Sequence, residues 1–107
     1  LIFEENLIWS ERLRKSLVGL GHEAIVISRL GAEIPTGDVA ILNFGSILWS
    51  EALVARLRES GVKTIGHAGH KEKEKLELGR IAGIDTVVTN STLTYKLETI
   101  LQDLTTC

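Results

Sequence analysis

Apolar residues recur along this chain with two alternating periods. Short aliphatic and β-branched runs, Leu1–Phe3, Ala24–Ser28, Val39–Asn43, Lys63–His67 and Asp85–Thr89, read as strands. Between them the apolar positions fall at helical spacing. A first helix is expected from about Leu7 to Leu20, with Trp9, Leu13, Leu17 and Leu20 toward the sheet and Glu11, Arg12, Arg14 and Lys15 toward water. A second, near Ser50–Ser60, carries Leu53, Val54 and Leu57 as its core stripe. Ser50 can cap it, and Glu51 suits the positive end of the helix dipole. A third, about Lys71 to Ala82, opens on a charged run and turns apolar at Leu76, Leu78 and Ile81. The last, about Thr92 to Leu104, is capped by Asn90 or Ser91 and buries Leu93, Leu97, Ile100, Leu101 and Leu104. Gly21, Gly61 and Gly83 each close one of these helices, where a left-handed residue ends a helix most easily.

Strands alternating with helices predict a parallel sheet covered on both faces. The expected order is 2-1-3-4-5, an α/β, flavodoxin-like three-layer sandwich. The segment Ser28–Asp38 contains Gly31, the only proline, Pro35, and Gly37. It is too short and too rich in breakers for a full helix, so the helix between strands two and three is expected to be shortened or absent. Residues 1–107 read as a single domain.

Composition narrows the functional classes. With 44% hydrophobic and 24% charged residues, the chain has the balance of an ordinary globular protein. A formal net charge of -2 gives no electrostatic case for nucleic acid or an anionic membrane. No apolar stretch approaches the roughly 20 residues that cross a bilayer, and no signal-peptide pattern opens the chain. A single cysteine, Cys107, cannot form an internal disulfide. A cytoplasmic, reducing location is the expectation.

In sheets of this kind chemistry gathers at the carboxyl ends of the strands, here Glu4, Glu5, Asn43, His67 and Thr89. Glu4 and Glu5 offer the hard oxygens that Mg²⁺ prefers. Adjacent strand residues point to opposite faces, however, and solvated acids are the expectation. His67 and His70, in Gly66-His67-Ala68-Gly69-His70, invite a zinc reading. Two histidines without cysteines more often make structural or pH-sensitive polar contacts, and no metal is expected. Gly45-Ser46 and Gly69 suit tight turns, without any phosphate-cradling motif. The run Lys71-Glu72-Lys73-Glu74-Lys75 alternates in sign, as solvated helix faces do. His22 is expected at the surface and Trp9 in the core; Trp49, beside Phe44 and Leu48, is a candidate for an exposed contact. No serine sits in a nucleophile motif, so an enzyme is not the expected class.

Taken together, the chain resembles the receiver domain of bacterial response regulators over nearly its whole length. The likeness rests on intervals more than on letters. An acidic pair (Glu4-Glu5) closes strand one, Leu20-Gly21 ends the first helix, and a hydrophobic strand ends at Asn43. Ala68 lies just past strand four, and Ala82-Gly83-Ile84-Asp85 leads into Thr86-Val87-Val88-Thr89. The resemblance implies a phosphorylation pocket with an acceptor aspartate ending strand three, Mg²⁺ on the acidic pair, a small hydroxyl residue ending strand four and a lysine ending strand five. At those last three positions stand Asn43, His67 and Thr89, with Asn90 in place of the usual proline and Thr86 where an aromatic ring is common. A neutral amide is no nucleophile. The implied protein is a pseudo-receiver, a signalling domain acting through protein contacts without aspartyl phosphorylation and without a cofactor. Its partner is another protein or a second copy, on the surface of the third helix, strand five and the last helix, with Lys75, Thr86 and Tyr95 near the contact. The alternative is an α/β domain that binds a small ligand or metal in the crevice lined by Glu4, Glu5, Asn43 and His67.

Overall fold

Five strands, β1 (Ile2–Phe3), β2 (Val26–Ile27), β3 (Val39–Asn43), β4 (Lys63–Ala68) and β5 (Thr86–Thr89), form one parallel sheet in the order β2-β1-β3-β4-β5. This is the flavodoxin-like arrangement anticipated from the strand–helix rhythm. The computed structural model describes residues 1–4, 6–28, 37–45, 48–69 and 71–105. The crossover expected to lack a helix falls mostly on residues 29–36, outside the described residues, as do Glu5, Ser46, His70 and Cys107.

The helices are α1 (Leu7–Gly19), α2 (Glu51–Glu59), α3 (Lys73–Ile81) and α4 (Asn90–Thr105). Alternate strand residues feed two separate cores, as the two-residue period of a strand requires. Phe3, Ala40 and Leu42 meet Leu53, Val54 and Leu57 of α2 and Leu76 of α3 on one face. Ile2, Ile41 and Ile65 meet Leu13 and Leu17 of α1 and Leu93, Leu97, Ile100 and Leu101 of α4 on the other.

The three helix-closing glycines have φ of 89° at Gly21, 77° at Gly61 and 92° at Gly83. Each sits in a complete Schellman motif. Gly21 N donates to Val18 O and His22 N to Leu17 O; Gly61 N donates to Arg58 O and Val62 N to Leu57 O; Gly83 N donates to Arg80 O and Ile84 N to Gly79 O. At the helix starts, Ser50 caps α2 as expected, its Oγ accepting from Leu53 N at 3.1 Å. Asn6, not anticipated, caps α1 by accepting from Ile8 N and Trp9 N, both at 3.1 Å.

Two helix faces differ from the sequence pattern. Leu20 is exposed, because it is the C-cap residue and its backbone has left the helical stripe. On α3 the buried residues are Leu76 and Gly79, while Leu78 and Ile81 are 51% and 72% exposed. At about 100° per residue, positions two and five beyond Leu76 point away from the sheet. Opposite the site, at the amino ends of β4 and β5, Thr64 N and Oγ1 donate to Asp85 Oδ2 (2.8 and 3.0 Å). Asp85 N donates back to Thr64 Oγ1 at 3.0 Å, which pins the starts of the two strands together.

Candidate functional site

The sheet register brings the strand-end residues to one edge. Asn43 of β3 lies opposite His67 of β4, and Ala68 of β4 lies opposite Thr89 of β5. Glu4 follows β1, whose Phe3 lies opposite Leu42, and its backbone N donates to Ile27 O at 3.1 Å. Four of the five residues singled out in the sequence therefore share the carboxyl edge; the fifth, Glu5, lies outside the described residues.

Glu4 is buried rather than solvated. Its Oε1 accepts from Asn6 N at 3.0 Å and its Oε2 from Asn43 Nδ2 at 2.6 Å. The amide of Asn43 is used at both ends, because its Oδ1 accepts from Gly45 N at 2.8 Å. That second bond is an Asx turn, the local closure that asparagine favours after a strand. One chain of hydrogen bonds thus runs from the start of α1 through Glu4 and Asn43 to the turn after β3.

His67 is almost wholly buried, with 1% of its surface exposed. Its Nδ1 donates to Asn90 Oδ1 at 2.7 Å, tying β4 to the first residue of α4. The Trp9 ring of α1 lies tilted against it, with centroids 5.9 Å apart. Burial pushes the imidazole pKa below its ordinary value, opposed by the Asn90 hydrogen bond and the charge of Glu4. The ring is therefore neutral at pH 7, which keeps one nitrogen as a donor and one as an acceptor.

Thr89 does not join this cluster. Its Oγ1 accepts from Thr92 N at 3.3 Å and donates to Thr92 Oγ1 at 2.9 Å, so it caps α4. Asn90 and Ser91 were the expected caps; Asn90 turns its side chain to His67 instead. The strand runs straight into the helix, and the last strand residue is the one placed to accept the orphan amide of the first turn.

The sequence pattern left out Phe44, Gly66 and Gly79 as a group. Phe44 N donates to His67 O at 2.9 Å, and its ring enters a slot between β4 and α3. A Cβ placed on Gly66 or on Gly79 would lie 2.8 or 2.7 Å from Phe44 Cε2, well inside contact distance. Trp49, a candidate for an exposed contact, packs edge-on against the same ring with centroids 5.0 Å apart and is only partly exposed. Trp9 is half-buried on its own face, with the Arg12 guanidinium 5.7 Å from its ring centre.

The residues expected near a partner lie on α3, β5 and α4. Tyr95 is 85% exposed, and Lys75 is exposed and paired with Glu72 at 2.8 Å. Thr86 opens β5, an edge strand, and is half-buried. Among the described residues, no three His, Cys, Asp or Glu side chains converge to hold a metal ion, and no helix is long and apolar enough to cross a membrane. No family profile matches the chain, and no curated protein matches it significantly.

Proposed function

We propose that this domain is a receiver-like regulatory module that works through protein contacts and carries no aspartyl phosphorylation. One observation supports this reading above the others. The position that would accept a phosphoryl group is Asn43, at the carboxyl end of β3, and its amide is bonded at both ends to Glu4 and Gly45. An amide nitrogen drawn into a carboxylate has no lone pair to offer phosphorus, and the carboxyl oxygens beside it already accept hydrogen bonds. The lysine position holds Thr89, whose hydroxyl caps α4. Glu4, Asn43 and His67 direct polar atoms to one another or to neighbouring backbone and Asn90, which favours contacts over a small ligand in the crevice.

The contact surface in this reading is α3, β5 and α4. Leu78 and Ile81 on α3 and Tyr95 on α4 are large exposed apolar side chains on the two helices that flank β5. Aromatic residues at the centre of an interface commonly contribute more than 1 kcal/mol. Tyr95→Glu is expected to leave the fold intact and to weaken association about tenfold. Sedimentation velocity reads self-association, and pull-down from native lysate reads a partner. Val18→Glu, an equal change at an exposed position of α1, is expected to leave both unchanged. Equal loss in the two variants, or loss in neither, removes the proposed surface.

A further inference from the structure

We propose that Phe44 couples the Glu4–Asn43 hydrogen bond to the seating of α3, making the polar strand edge and that helix one mechanical unit. Three features of the geometry carry the coupling. The turn that launches Phe44 is held from both sides, by Asn43 Oδ1 accepting from Gly45 N at 2.8 Å and by Phe44 N donating to His67 O at 2.9 Å. The ring has no room to move between β4 and α3, since a Cβ at Gly66 or Gly79 would collide with it. Behind it stands Trp49, edge-on at 5.0 Å, just ahead of α2.

A rigid ring in a closed slot transmits displacement, because packed interiors compress little. If the Asn43 amide lets go of Glu4, the turn at residues 43–45 relaxes, the ring shifts, and α3 loses the surface it is seated on. This helix has only Leu76 and Gly79 buried, and Gly79 lies directly against the ring, so its local opening depends on that contact. By contrast α4 buries Leu93, Leu97, Ile100 and Leu101 on the other face of the sheet and does not touch the ring. A shift of the ring is thus delivered to the body of α3, whereas α4 is reached from this turn at its first residue, through His67 and Asn90, and its core stripe at residues 97–101 is not. Its use in regulation rests on the partner reading above, but the coupling itself does not, so the two can fail separately.

Amide hydrogen exchange on the whole domain tests the coupling. Asn43→Ala is expected to speed exchange at residues 76–81 of α3 about tenfold relative to residues 97–101 of α4. In a Phe44→Leu background α3 starts faster, and adding Asn43→Ala changes it less than about twofold. Should Asn43→Ala not fold, Glu4→Leu removes the acceptor of Asn43 Nδ2 while leaving the Asn43–Gly45 turn in place, and the same pattern is expected. Equal acceleration of α3 and α4, no acceleration of α3, or a full Asn43 effect in the Phe44→Leu background would each overturn the proposal.

Discussion

Gly79→Ala is expected to destabilise the domain by about 1–3 kcal/mol through overpacking, although alanine ordinarily stabilises a helix interior by roughly 0.5–1 kcal/mol over glycine. The sign reverses because a methyl group at this position meets the buried Phe44 ring rather than solvent. The ring has no retreat, since Gly66 lines the other side of its slot and Trp49 stands at its edge. Gly66→Ala is expected to behave alike, for the same collision from the strand side. Phe44→Leu frees the slot at its own cost, and in that background Gly79→Ala should become neutral or stabilising. Urea midpoints for the four proteins of this cycle give the interaction directly. Purely additive effects would show that the glycine is needed for some reason other than the ring. The cost is large against the roughly 5–15 kcal/mol of total stability usual for a domain.

The second large effect is a dependence of stability on pH carried by His67. Burial lowers its pKa in the folded protein below the ordinary value near 6.5. In the window between the two values the unfolded chain holds more protons than the folded one, so stability rises with pH there. The contribution is fully present above pH 6.5 and is lost as pH falls through the lower, folded value. His67→Asn keeps an amide donor at the Nδ1 position for Asn90 and does not titrate. The urea midpoint of the parent protein should therefore fall more steeply than that of His67→Asn between pH 7.5 and pH 5.5. Parallel profiles would mean that His67 takes up its proton without penalty, through Glu4 or through water.

Much of this architecture is local and therefore readable from the chain. A glycine after a helix reports a positive φ within a few residues, and Gly21, Gly61 and Gly83 all adopt one. Ser50 lies three residues before the amide it caps, and the alternation in Val39–Asn43 already separates the two cores. The edge that gathers Glu4, Asn43 and His67 follows from the parallel sheet alone.

The parts that were not legible depend on distance along the chain. His67 and Asn90 are 23 residues apart, and nothing near Asn90 separates a helix cap from a histidine partner. Gly66 and Gly79 look like a weak strand residue and a weak helix residue; only the ring of Phe44, reaching both, shows why a side chain is absent there. Glu4 looked like a solvated acid because its partners, Asn6 N and Asn43 Nδ2, are set by the α1 cap and the β1–β3 pairing. Leu78 and Ile81 misled for a simpler reason. An apolar residue inside a helix need not be on its buried stripe, and these two lie off the line through Leu76 and Gly79.

Asn43 is proposed as a chemically silent acceptor position on a receiver-like scaffold, and beryllofluoride probes that position. The domain is incubated with beryllofluoride and Mg²⁺ and followed by fluorine NMR, with intact mass recorded after acetyl phosphate. No bound fluoride signal and no added mass are expected for the parent protein. No efficient phosphorylation is expected for Asn43→Asp either, because Thr89 supplies no ammonium to the transferred group. A stable beryllofluoride complex at the end of β3, or a phosphoryl adduct on the parent chain, would contradict it.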